Sequence, residues 1–280
     1  MTSKLALMGA HISRSKMGKL QAYLAQQNGI SIDYGLIDGE ILPDFNPEGC
    51  VKRLITEGYH GINVTHPYKQ SVYPLVKSPL AEGHEKIGSY NTLRFTEDGI
   101  LGANTDYSGF KQGYLYRRGD KSPGKVLVCG AGGVGRAIMF ALAELGAGHL
   151  YISDINTAAA QAMSDLLVKH GHSASAVTPD EVKVLQNKVD GLVNCTALGM
   201  YGKPGTPFDL TALSSPEWAF DAVYVPLKTD FIKACESAGL QCVSGFDLWI
   251  FQGIDAYNLF FDASIAAAPA LINEALSWLD

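Results

Sequence analysis

One short passage, Gly130-Ala131-Gly132-Gly133-Val134-Gly135, constrains this chain more than any other because of what flanks it. An apolar run of strand length at 125–129 leads straight into it, and residues 136–145 follow at once with the apolar spacing of a helix. Glycine clusters also make ordinary turns. Strand, glycine turn and helix in immediate succession, however, is the context that a dinucleotide-binding loop requires. In that reading Gly130 permits the tight turn, Gly132 lets the backbone approach a pyrophosphate with no Cβ in the way, and Gly135 lets the helix pack closely on the strand. The helix N-terminus then offers unpaired N–H groups and a positive dipole end to the phosphates.

The next strand of this unit is predicted at 149–153, and Asp154 stands at its end. An acidic side chain there accepts hydrogen bonds from both hydroxyls of an adenosine ribose, whereas a 2′-phosphate would meet like charge. Residues 155–160 contain no Arg or Lys to neutralise such a phosphate, so the expected cofactor is NAD in preference to NADP. Asp154 could equally cap the helix that follows.

Elsewhere short apolar runs alternate with longer amphipathic ones, which predicts an α/β architecture. Strands are expected at 4–8, 31–37, 61–65, 89–95 and 100–103, and helices at 17–27, at 47–57 behind an Asn46 cap, and from about 106 to 117. Glu97-Asp98-Gly99 signals a hairpin, so this part of the sheet should be mixed. The polar, turn-rich segment 118–124 marks entry to a second unit. Its strands, expected at 125–129, 149–153, 173–177, 191–194, 219–223 and 240–243 with helical lengths between most of them, form the pattern of a doubly wound parallel sheet. Residues 245–280 read as helical throughout and are expected to fold back on the first unit. The expected division is 1–107 with 245–280 as one domain and 108–244 as the other.

A length of 280 residues suits two such domains at about 150 residues each. With 47% apolar and 18% charged residues the chain is globular rather than disordered. Its net charge of −6 gives no attraction for phosphate backbones or anionic lipid, so neither nucleic acid nor membrane is an expected partner. Five cysteines without a CxxC pair predict reduced, buried thiols of a cytoplasmic protein. Residues 1–9 read as a first strand rather than a signal peptide, and the uncharged run 263–273 is too short to span a bilayer. His170 and His172 lack a third ligand nearby and read as a solvated helix end, so no metal is expected. The aromatic residues Phe246, Trp249, Phe251, Tyr257, Phe260 and Phe261 read as packing.

Several further blocks resemble the shikimate/quinate dehydrogenase family: residues 61–69 (Gly-Ile-Asn-Val-Thr-His-Pro-Tyr-Lys), 88–92 (Gly-Ser-Tyr-Asn-Thr), 102–106 (Gly-Ala-Asn-Thr-Asp), 193–200, 224–229 and Gln252. They occur in the family's order and cover nearly the whole chain. The resemblance implies a discontinuous substrate domain, an inserted nucleotide-binding domain, a substrate in the cleft between them, and interconversion of a ring hydroxyl and a ketone. It implies Lys69 and Asp106 as the catalytic pair, with Ser15, Asn63, Thr65, Asn91, Tyr224 and Gln252 holding a small hydroaromatic acid. On the cofactor side it implies Gly130, Ala131, Gly132, Gly133, Val134, Gly135, Asp154, Asn194, Thr196, Ala222, Gly245 and Leu248. Asp154 with Ile155 stands where NADP-using members have an Asn-Arg pair. Taken singly, Lys69 would be a solvated lysine and Asp106 a helix cap.

One block departs from the pattern. Family members read His-Ser-x-Ser-Pro after the first strand, or Ser-x-Thr-Pro in some quinate-active members, whereas this chain reads Arg14-Ser15-Lys16-Met17-Gly18. A thioether replaces a hydroxyl that would hold the substrate carboxylate, which predicts weaker binding of shikimate and quinate and a substrate altered at that end; the alternative is that Met17 points into the core and a neighbouring residue supplies the contact. An amino-shikimate, a cyclitol or another polyol is the alternative substrate on the same scaffold. A regulatory paralogue that holds NAD without turnover is the non-enzymatic alternative, and the presence of both Lys69 and Asp106 speaks against it. A homodimer is compatible with the sequence and not fixed by it.

Overall fold

The computed structural model describes residues 2–211 and 213–278. The chain forms two compact units: one runs through Asp106 and resumes at Ile250, and the other is Tyr107–Trp249.

In the first unit, β1 (Thr2–Gly9) lies between β2 (Ser31–Asp38) and β3 (Tyr59–Val64), parallel to both. The sheet continues through β5 (Thr92–Thr96) and β6 (Gly99–Ala103), the antiparallel hairpin expected around Glu97-Asp98. A two-residue edge strand, β4 (Ser78–Pro79), completes the order β2-β1-β3-β5-β6-β4 and is too short to leave a periodic signal. Consecutive buried residues Leu5, Ala6, Leu7 and Met8 make β1 a strand covered on both faces. Helix α2 (Pro47–Thr56) packs Cys50, Val51 and Leu54 on one face, against Ala6, Met8, Ile62 and Val64. The other face carries Leu5 against Ala256 and Phe260 of α8 (Gly245–Phe261). Helix α1 (Met17–Gln27) lies beside α8, because a Cβ on Gly253 would come within 2.4 Å of Leu20 Cδ2. As read from the sequence, Asn46 caps α2, accepting the N–H of Glu48 at 3.1 Å with Pro47 at the first helical position.

The C-terminal stretch is not helical throughout. Helix α8 ends at Phe261, where Asp262 has φ 48°, and α9 (Pro269–Leu276) starts at a proline. The Asn258 side chain holds the intervening loop, donating to Ile265 O at 3.0 Å and accepting from Ile265 N at 2.9 Å.

The second unit is a doubly wound sheet with all strands parallel, in the order β12-β11-β10-β7-β8-β9. Its strands are β7 (Lys125–Cys129), β8 (His149–Ser153), β9 (Ala174–Val177), β10 (Gly191–Asn194), β11 (Trp218–Asp221) and β12 (Gln241–Val243). On one face α6 (Pro179–Leu185) and α7 (Asp230–Ser237) bring Val182, Phe231 and Cys235 onto Leu127, Leu192 and Ala219. On the other, Phe110 and Tyr114 of α3 (Thr105–Arg118) meet Phe220 and Trp218 edge-on at 4.8 and 5.2 Å. Helix α4 (Gly133–Glu144) buries Ala137 to Leu142 continuously. It starts three residues before the expected position, so Gly135 lies in its first turn. Helix α5 (Thr157–Lys169) ends at His170, and both His170 and His172 lie edge-on to the buried Phe140 ring. Among the described residues no helix is long and apolar enough to cross a membrane.

Candidate functional site

Lys69 follows β3 in a tight turn, and its side chain is only 8% exposed. Its Nζ pairs with Asp106 Oδ2, equally buried, in the first turn of α3. A lysine this far from water is not a solvated surface residue, and the carboxylate is what makes its burial tolerable. Three other expected site residues in this unit are joined by hydrogen bonds. The Asn63 Nδ2 lies 3.4 Å from Thr92 Oγ1, which donates to Asn91 Oδ1 at 3.1 Å. The same Asn91 oxygen accepts the Thr105 N–H at 2.7 Å, and Asn91 Nδ2 reaches Gln252 Oε1 at 3.5 Å. Since Thr105 is the neighbour of Asp106, this polar chain ends beside the ion pair.

Ser15 and Thr65 stand at the carboxyl ends of neighbouring strands, after β1 and β3, where ligands of α/β sheets collect. Thr65 N donates to Met8 O at 2.8 Å, and Ser15 Oγ accepts from Met17 N at 3.3 Å, which leaves its own hydroxyl proton to donate. Met17 itself does not project apolar bulk outward as expected. It is 5% exposed, with its sulfur 3.5 Å from Gln21 Nε2 and its end packed on Gly253. The first position of an amphipathic helix faces inward here because Gly253 leaves a recess that a side chain would fill.

In the second unit Gly130 has φ 104°, and a Cβ there would lie 2.6 Å from the carbonyl carbon of Cys195. A Cβ on Gly135 would lie 2.0 Å from the carbonyl oxygen of Gly130, so strand and helix approach only through glycine. Gly132 differs, since a Cβ would meet nothing within 4 Å. Open space therefore lies before the helix N-terminus, with Gly133 and Val134 in its first turn and Ala131 buried beneath. The Asp154 Oδ2 accepts the Ala131 N–H at 2.7 Å and its Oδ1 accepts the Asn156 N–H at 2.8 Å. The helix cap is Asn156, which accepts from Ala159 N at 3.3 Å, and not Asp154. Ile155 is 96% exposed.

Asn194 donates to Leu198 O and to Asp221 Oδ1 and accepts from Thr196 N and Oγ1, so both side chains organise their own loop. Ala222 N donates to Asn194 O at 2.8 Å, and Gly245 sits where a Cβ would lie 2.5 Å from Val223 O. Leu248 is buried, and Tyr224, also in this unit, stacks at 6.2 Å on Trp249. Asp221 was not singled out from the sequence. Fully buried at the end of β11, it accepts from Asn194 Nδ2, Val223 N and, at 2.6 Å, Thr229 Oγ1. An acid closing the apolar strand Trp218-Ala-Phe-Asp221 was the available signal. The cysteines are free thiols, with Cys50, Cys129 and Cys235 buried and Cys195 and Cys242 half-buried. Among the described residues no cluster of His, Cys, Asp or Glu could hold a metal.

Residues 7–93 match the family model described as the shikimate dehydrogenase substrate binding domain. The chain is 36% identical over 207 residues to a quinate/shikimate dehydrogenase (NAD(+)) of Corynebacterium glutamicum strain R, covering 72% of each chain. To a shikimate dehydrogenase (NADP(+)) of Streptomyces avermitilis it is 33% identical over 261 residues, covering 91% of this chain and 89% of the other. Among solved structures it is similar to quinate dehydrogenase from Corynebacterium glutamicum in complex with NAD, at TM-score 0.91 and 30% identity over 99% of this chain and 100% of that one.

Burial pushes the Asp221 carboxyl up to about 6, against the opposing pull of its three hydrogen bonds. The unfolded chain releases this proton near pH 4, while the folded protein retains it until near pH 6. Stability is therefore expected to fall as pH rises between those values, by about 3 kcal/mol, and to level off above them. Thermal unfolding from pH 4 to 8 should show this slope, and Asp221→Asn should flatten it. An identical slope in the variant would assign the titration elsewhere.

Proposed function

The chain belongs to the shikimate/quinate dehydrogenase family, and we propose that within it this protein is an NAD-preferring enzyme for quinate, shikimate or a close hydroaromatic acid. It is an oxidoreductase acting on a CH–OH group. The observation that carries the cofactor reading is Asp154, fixed by two backbone N–H groups and followed by an exposed isoleucine where a 2′-phosphate would need a cation. A dinucleotide fits the glycine loop, because the space before Gly132 is open and the N–H groups of α4 face it. Gly130 to Gly135 would hold the pyrophosphate and Asp154 the adenosine ribose. We assign the unit Tyr107–Trp249 to the dinucleotide and the other unit to the substrate.

When bound, the nicotinamide supplies the hydride acceptor for oxidation and the hydride donor for reduction. Proton movement belongs to the protein. In the oxidation direction Lys69 Nζ, as the uncharged amine, takes the hydroxyl proton and becomes the ammonium, and in the reverse direction the ammonium gives that proton to the carbonyl oxygen. Asp106 holds Nζ in place and compensates its charge. Within the first unit Asn63, Asn91, Gln252, Ser15 and Thr65 supply amides and hydroxyls suited to a polyhydroxylated acid. With Met17 turned into the core and the Ser15 hydroxyl retained, a carboxylate keeps one of the two expected donors. The buried ion pair also favours an enzyme over a paralogue that only holds the dinucleotide.

Initial rates with quinate and shikimate, measured with NAD and with NADP, test this reading. The kcat/KM with NAD is expected to exceed that with NADP by at least about tenfold, equivalent to ~1.4 kcal/mol. Asp154→Ser combined with Ile155→Arg should narrow or reverse the preference. Equal use of both cofactors would overturn it. Lys69→Ala should lower turnover by about two to four orders of magnitude with NAD affinity nearly unchanged. Near-normal turnover in that variant would remove Lys69 from the mechanism. Circular dichroism is the necessary control, because the variant leaves the Asp106 carboxylate buried without its partner.

A further inference from the structure

Tyr34 lies on β2, two strands away from Asn63 on β3, with β1 between them. The registers Leu5↔Tyr34, Leu5↔Gly61 and Leu7↔Asn63 put Tyr34 and Asn63 on the same face of the sheet. Two strand spacings are roughly 9.6 Å, which few side chains other than tyrosine could bridge. The Tyr34 hydroxyl reaches Asn63 Oδ1 at 2.8 Å. Its ring rests against the Leu5, Ala256 and Phe260 cluster and closes over Gly18, where a Cβ would lie 2.9 Å from ring carbon Cδ1. The family pattern has proline at the position of Gly18.

The direction of these hydrogen bonds is set from one end. The backbone N–H of Thr105 can only donate, so the Asn91 atom facing it at 2.7 Å is the oxygen. Thr92 Oγ1 donates to that oxygen at 3.1 Å, so its lone pair is what the Asn63 amide nitrogen meets at 3.4 Å. The Asn63 oxygen is then turned to Tyr34, whose hydroxyl donates to it. Burial holds that hydroxyl well above its ordinary titration range, so it stays a donor.

We infer that Tyr34 is a positioning residue for the substrate: it locks the Asn63 amide with its N–H side toward the site, where it donates to an oxygen of the hydroaromatic acid, and Gly18 makes the room that this requires. The inference rests on the functional reading above and adds to it two residues and a polarity. Asn63 is assigned as a donor, so the group it recognises accepts a hydrogen bond.

Steady-state kinetics with quinate and shikimate, at saturating NAD, tests this with three variants. Tyr34→Phe removes only the hydroxyl and is expected to raise the substrate KM about tenfold, the loss of roughly one hydrogen bond, with kcat and the KM for NAD little changed. Gly18→Ala should do the same by displacing the ring. Displacing a ring packed on the core is expected to lower the melting temperature as well, so the reading is taken from a raised substrate KM with kcat and the KM for NAD unchanged, a split that general destabilisation does not produce. In an Asn63→Ala background Tyr34→Phe should have no further effect on KM, since its action passes through that amide. An unaltered KM in Tyr34→Phe, or a full tenfold effect in the Asn63→Ala background, would overturn the role of Tyr34 while leaving the dehydrogenase reading intact. Failure of the unaltered protein to oxidise any hydroaromatic acid would instead overturn that reading and the inference with it.

Discussion

Burying the Lys69 ammonium and the Asp106 carboxylate costs several kcal/mol per ion in lost hydration, and only close mutual pairing offsets it. The first unit is organised to deliver that pairing. Asp106 lies in the first turn of α3, where the helix dipole favours negative charge. Where α3 starts is decided by residues distant in sequence: Asn91 Oδ1 accepts the Thr105 N–H, and His84 Nδ1 accepts the Asn104 N–H at 3.0 Å. Asn91 is in turn tied to strands on both sides, donating to Ala103 O at 3.1 Å and accepting from Val64 N at 2.7 Å. A register slip at β5 would move Asn91, the start of α3 and the carboxylate together, leaving Lys69 as an uncompensated buried charge.

The same dependence explains what could be read in advance. The second unit was legible almost strand by strand, because each βαβ element carries its own apolar run and its own turn, and the glycine loop owes its shape to local sterics at Gly130 and Gly135. Asn46, the hairpin at Glu97-Asp98 and the limits of α1 were legible for the same reason. Partner choice among buried polar groups was not. That Tyr34 reaches Asn63 depends on strand order, and that Thr92 links Asn63 to Asn91 depends on register. Met17 was read as facing a ligand because it stands where the resembling family has a carboxylate-binding hydroxyl, but Gly253, 236 positions later, supplies the recess that takes it inward. The break in the C-terminal helical stretch was hidden because 262–268 is rich in small, helix-compatible residues, and it is the Asn258 side chain that organises them as a loop.

Asp221 plays in the second unit a part analogous to that of Asn91 in the first. It collects donors from two loops, Asn194 from one and Val223 and Thr229 from the other, and ties both to the carboxyl end of the sheet. Three donors draw its carboxyl down, and full burial overrides them. Such a group fixes loop geometry through donors that must all be aimed at it, and it does so at a cost in stability that an asparagine would not carry.

In the proposed cofactor reading, Asp154 draws its selectivity from its surroundings as well as from its charge. A carboxylate on a mobile surface side chain would turn away from an incoming phosphate and discriminate weakly. Here Oδ2 is held by Ala131 N in the glycine loop and Oδ1 by Asn156 N ahead of α5, so the group keeps its place whether or not a ligand is near. Each oxygen retains a lone pair with which a ribose hydroxyl can bond. For a 2′-phosphate the same fixed position brings repulsion that rotation cannot relieve, roughly 4 kcal/mol per unit charge at 4 Å in a medium of effective dielectric 20 and less with solvent access. No cation among residues 155–160 offsets it. The proposed preference for NAD therefore rests on two backbone hydrogen bonds that fix the carboxylate as much as on its charge, and substituting Asp154 alone would remove the repulsion without creating the cationic partner that a 2′-phosphate requires.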